Sequence, residues 1–146
     1  GDTGPYVQYA HARIMSVLRK AGGDWERLAR PTTAPRPDDP VVAYPGAALP
    51  TSLEGLEEPA AQALLFELAG LPDAIRTVQR ESMATALARQ LLSVAKAFSG
   101  FYTNCPILWP ENTDAVRAAR LALCVSTARA LRQGLFLMGI QAPEEM

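Results

Sequence analysis

Tyr6, Gln8, Tyr9, His11 and Arg13 crowd into the stretch GPYVQYAHAR near the start of a 146-residue chain. A histidine among hydrogen-bonding and aromatic side chains invites three chemistries: proton transfer, metal binding, or recognition of a partner by stacking and hydrogen bonds. His11 is the only histidine. The two-histidine motifs of metalloproteases and nucleotidyl-transfer enzymes are therefore excluded. The two thiols, Cys105 and Cys124, stand far from His11 and from each other, with no zinc spacing. A Cys–His nucleophile would need His11 beside one of them, and Cys124 falls close to an apolar stripe. There is no glycine-rich loop ending in Gly-Lys-Ser/Thr. The sequence therefore names no catalytic residue, no metal ligand and no cofactor, and recognition remains.

Length and composition set the scale. A chain of 146 residues is most simply one domain. Half the residues are apolar and a fifth are charged, as in ordinary globular proteins. No apolar run reaches the roughly 20 residues that span a bilayer. The first residues lack the pattern of a signal peptide. A cytoplasmic location with reduced, mostly buried cysteines is the expectation. Net charge is −1, but its distribution is uneven. Residues 31–72 hold Arg36 against six acids, whereas residues 73–104 hold four bases against two acids. A near-neutral total can hide a basic face.

The elements that must carry these side chains read as helices. Val7, Ala10, Ile14, Val17 and Ala21 recur at three- and four-residue spacing, with Pro5 in the first turn and Gly22-Gly23 as the stop. A second helix is predicted from about Pro59 to Ala69, with Gly70 as its stop, and a third from near Pro72 to about Glu81. The fourth reaches about Asn104 with the stripe Leu87, Leu91, Val94, Phe98 and Phe101. The fifth starts at an Asn112 or Thr113 cap and runs to about Met138, ended by Gly139; its core face is Leu121, Val125, Ala128, Leu135 and Met138. Residues 31–50 contain six prolines, which no regular helix accepts. The reading is an all-α antiparallel bundle of about five helices with a long Pro-rich, acidic connection over 31–58. Part of that connection, anchored by Val41, Val42 and Tyr44, is expected to lie on the bundle as a strap.

Three separated blocks carry a resemblance. They are GDTGPYVQYAHARIMSVLRKAG at the start, AKAFSGFYTNCPIL at 95–108, and ARLALCVSTARALRQGLFLMGIQAPEEM at the end. In order and spacing they resemble the C-terminal, all-helical anticodon-binding (DALR) domain of arginyl-tRNA synthetase. The resemblance covers the whole of 1–146 except the Pro-rich stretch. It implies the tRNA-binding piece of an arginine–tRNA ligase. In the full-length enzyme, ATP and arginine would be handled by a catalytic domain whose motifs are absent from this chain. The implied partners are the anticodon stem-loop of an arginine tRNA and that catalytic domain in cis, with no membrane and no DNA.

The resemblance also assigns residues. Tyr102, at the end of the fourth helix, would stack on or enclose a central anticodon base; the alternative is that it extends the Phe98–Phe101 core. Tyr6, Tyr9 and Arg13 share a helix face and would face the anticodon stem-loop, with Arg19 on a phosphate. Gln8 and His11 would serve the junction with the catalytic domain or local packing. Met146 would fold back into the anticodon pocket, so a chain extended past it should bind worse. The family usually has a basic residue where Glu145 stands here. Trp109 is expected either to plug the bundle or to stack on RNA. Arg117 and Arg120, poorly placed for their helix dipole, suggest a charge partner such as RNA. Two competing readings remain: a helical protein-interaction module without tRNA binding, and the corresponding domain of another class I synthetase.

Overall fold

In the computed structural model, residues 3–30, 52–81 and 84–146 are described, and among them all regular structure is helical. The helices are α1 (Thr3–Ala21), α2 (Trp25–Ala29), α3 (Pro59–Ala69), α4 (Leu71–Glu81), α5 (Ala84–Asn104) and α6 (Asp114–Leu137). The five expected helices are present. The short α2 was not anticipated: five residues carry too little periodicity to stand out from the sequence after Gly22-Gly23. The expected strap over 31–50 lies outside the described residues.

Helix α5 sits at the centre, packed against α1, α3, α4 and α6, while α1 and α2 close over α6. The stripes explain this arrangement. Val7, Ala10, Ile14 and Val17 on α1 are buried, as are all five predicted core residues of α5. Helix α6 is buried on more than the predicted face. From Ala119 to Val125 every residue is buried, because α1, α2 and α5 all pack on it. Small residues permit that crowding. A Cβ on Gly134 would stand 2.3 Å from a Leu91 methyl, so α5 and α6 meet where α6 carries no side chain.

Local chemistry sets the ends that matter for function. Gly22 and Gly23 have φ of 76° and 60°, values that stop α1. Of the two candidate caps of α6, Thr113 is the one used, its hydroxyl accepting from Val116 N at 3.2 Å. Asn112 instead donates to Pro106 O at 2.8 Å. At the other end of α6, Gly139 has φ 73°. Ile140 N then donates to Leu135 O at 2.8 Å and Gly139 N to Phe136 O at 2.9 Å, a Schellman turn. That turn sends residues 140–146 back along α1.

Arg117 and Arg120 have partners other than RNA. Arg120 is buried and donates to Gly55 O at 3.0 Å and Pro106 O at 2.8 Å. Arg117 donates to Ala21 O at 3.0 Å, neutralising a carbonyl at the C-terminal end of α1. Both guanidiniums tie loop or helix-end carbonyls to α6. Cys105 and Cys124 are free and buried, and burial pushes both thiols upward in pKa.

Candidate nucleic-acid interface

The outward face of α1, the last turn of α5 and the returning tail enclose a cavity of about 360 Å³. Tyr9, Arg13, Arg19 and Lys20 line it from α1, Tyr102 from α5, and Glu144 to Met146 from the tail. Five residues chosen from sequence thus meet in one place: Tyr9, Arg13, Arg19, Tyr102 and Met146. A second cavity of about 510 Å³ adjoins it, shares Tyr9 and Arg13, and adds Tyr6 and Phe98.

The aromatic walls are accessible. Tyr9 is 51% exposed, Tyr102 43% and Met146 65%. Tyr102 is therefore not an extension of the core. Phe98 and Phe101 are fully buried, and the Tyr102 ring only leans on Phe98 with centroids 6.2 Å apart. Arg13 connects the two tyrosines, its guanidinium carbon 5.5 Å from the Tyr9 ring centre and 5.3 Å from that of Tyr102. Both distances lie within cation–π range. Trp109 is half-exposed in the loop before α6 rather than capping the bundle.

The tail owes its course to α1. Gln8 Nε2 donates to Gln141 O at 2.9 Å, His11 Nδ1 to Pro143 O at 2.8 Å, and Arg19 Nη2 to Glu144 O at 3.4 Å. These three side chains follow one face of the helix. His11 is fully buried, and its imidazole holds this chain's own tail, the local packing that was one of its two expected roles. Gln8 is likewise engaged with the tail. Desolvation, helped by the Arg132 charge, lowers the His11 pKa to about 4. The ring is thus neutral near pH 7 and donates from Nδ1, leaving Nε2 buried without a partner.

Glu144 was missed by the sequence reading. Its carboxylate accepts from Arg30 at 2.6 and 2.7 Å and from Arg132 at 3.1 Å. Those partners hold its pKa down at about 2. Arg30 also pairs with Glu26 one turn earlier. No local signal marks this cluster, since its members come from α2's end, α6 and the tail. Glu145 is exposed, 4.0 Å from Arg19.

Among the described residues no group of side chains is suited to hold a metal ion, and no helix is long and apolar enough to cross a membrane. The arrangement offers flat rings, a guanidinium between them, and flanking cations. That combination suits an unstacked base with its phosphate.

Comparison with known proteins gives concordant results. The family model described as DALR anticodon binding domain matches residues 7–146. An arginine–tRNA ligase of Cutibacterium acnes is 39% identical over 146 residues, covering the whole chain and 24% of that protein. One from Chloroflexus aggregans is 38% identical over the same length, covering 22% of that protein. The solved Thermus thermophilus arginyl-tRNA synthetase superposes with a TM-score of 0.75 at 33% identity, covering all of this chain and 21% of that one. The chain thus spans between a fifth and a quarter of the length of these relatives.

Proposed function

The chain belongs to the DALR anticodon-binding domain family, and from that premise we propose that it reads the anticodon loop of an arginine tRNA on behalf of an arginine–tRNA ligase. Arginine activation with ATP and its transfer to tRNA belong, in this reading, to the part of the ligase that the chain does not span. That part is the partner in cis, and the cytoplasm is the place of work.

One observation carries the reading: the Arg13 guanidinium lies over both the Tyr9 and Tyr102 rings, and all three line a cavity that Met146 also lines. An anticodon loop presents bases already splayed from their helix. Such a base gains by stacking on an exposed ring. Tyr102 and Tyr9 are half-open and already oriented by their shared contact with Arg13, so little ordering is needed on binding. The Arg13 guanidinium has N–H groups to offer a base edge or a phosphate. Arg19 and Lys20 extend the positive charge toward the backbone. Tyr6, in the adjoining cavity, is placed to meet a neighbouring nucleotide.

The test is binding of labelled anticodon stem-loops to the purified chain at two salt concentrations. One loop is of arginine type and one has its central anticodon base changed. Salt-dependent binding that weakens with the base change, and again with Tyr102→Ala, is the expected result. Binding blind to both changes would overturn the proposal and favour a protein-interaction bundle.

A further inference from the structure

Met146 forms a wall of the cavity, yet it sits on a segment without regular secondary structure and is itself 65% exposed. Holding such a segment still costs backbone entropy at every residue. Something must offset that cost close to Met146. The bonds from Gln8 and His11 act further back, at Gln141 and Pro143, and the one from Arg19 to Glu144 O is long, at 3.4 Å.

Glu144 is the tail side chain nearest Met146 that hydrogen bonds hold. Arg30 grips its carboxylate with two donors at 2.6 and 2.7 Å, the forked geometry that fixes direction as well as distance. Arg132 adds a third bond from α6 at 3.1 Å, from a side chain only 23% exposed. Within α2, Glu26 pairs with the same Arg30 guanidinium and so aims it at the tail. Each cation follows a fully buried residue of a helix: Ala29, the last of α2, before Arg30, and Leu131 of α6 before Arg132.

We propose that Arg30 and Arg132 are positioning residues which, by clamping Glu144, set Met146 against the cavity and thereby determine how sharply it discriminates between bases. This rests on the cavity being the base-reading site. It assigns α2 a purpose beyond covering α6: it supplies the fork that places the wall. With the clamp intact, the wall stands before RNA arrives. With the clamp broken, Met146 must be ordered by each incoming base, and right and wrong bases are then met by an equally loose wall. Arg13, Arg19 and Lys20 on α1, which attract phosphate, are all retained. Discrimination falls while backbone binding persists.

The experiment reads the two consequences separately. The first readout, without RNA, is the 13C ε-methyl resonance of Met146, assigned by its loss in Met146→Leu. In Arg30→Gln and Glu144→Gln it is expected to move to the position and narrow width of an unrestrained methionine. In Glu144→Asp, which keeps the charge, it should stay between those and the parent. The second readout is the affinity ratio between the arginine-type stem-loop and the loop with the changed central base. That ratio is expected to fall about fivefold or more in both Gln variants, recovering in part with Asp. An unmoved Met146 methyl in Arg30→Gln and Glu144→Gln overturns the clamp. A released methyl with undiminished discrimination overturns its role in specificity. If the parent chain does not distinguish the two loops at all, the function proposed for the cavity fails, and the methyl readout still reports whether the clamp exists. Arg30 is exposed just past the end of α2, so Arg30→Gln keeps the test valid should Glu144→Gln prove poorly folded.

Discussion

The guanidinium carbon of Arg13 on α1 lies 5.3 Å from the ring centre of Tyr102 on α5. This contact joins two helices in the lining of the cavity. It also brings a positive charge beside a flat apolar surface, the pairing that an unstacked nucleotide requires.

Tyr102→Ala should weaken anticodon stem-loop binding by about 1–3 kcal/mol, the usual worth of one stacking ring. Tyr102→Phe should bind nearly as the parent does, since stacking needs the ring and not the hydroxyl. Fluorescence anisotropy titrations check both. The melting temperature of Tyr102→Ala should change little, because the side chain is 43% exposed and stands outside the core.

Arg13→Lys is expected to fall short of the parent although it keeps the charge. An ammonium lacks the planar face that spans Tyr9 and Tyr102 and the fork that meets a base edge. The slope of log affinity against log salt should stay close to the parent's, whereas Arg13→Gln should lose up to about one unit of slope if Arg13 contacts a phosphate. A salt titration of the three proteins separates stacking from charge.

Folding stability should drop as pH falls from about 6.5 to about 4, through His11. Its folded pKa of about 4 lies below the ordinary histidine value of 6.5. The unfolded chain therefore takes up a proton first, and acid favours unfolding across that window. The full loss is on the order of 3 kcal/mol. Glu144, held at about 2 against 4.5, adds a separate loss only below about pH 4.5. Urea unfolding at several pH values checks the order of the two phases. His11→Gln, which keeps a donor for Pro143 O and cannot titrate, should remove the first and spare the second.

Arg120→Met should destabilise the fold by about 1–3 kcal/mol, leaving Gly55 O without its buried donor and Pro106 O with Asn112 Nδ2 alone. RNA binding by the remaining folded protein should be unchanged, because this guanidinium faces the interior. Chemical denaturation and stem-loop binding, measured on the same preparation, distinguish this from a role in RNA contact.

The sequence determined what depends on near neighbours. Stripes at three- and four-residue spacing located α1, α5 and α6, and Pro59, Gly70 and Pro72 marked ends of α3 and α4. Gly22, Gly139 and Thr113 marked ends that their backbone geometry or hydrogen bonds bear out. The α1 face carrying Tyr9 and Arg13 was legible for the same reason. Tertiary structure decided the rest. His11 meets Pro143 across 132 positions, Arg30 meets Glu144 across 114, and Arg120 meets Gly55 across 65. No local spacing encodes such pairs, so an arginine bound for a carbonyl in the interior reads the same as one bound for a phosphate. The side chain's type fixes the bond it can make; only the packing of α1, α2, α5 and α6 selects the partner.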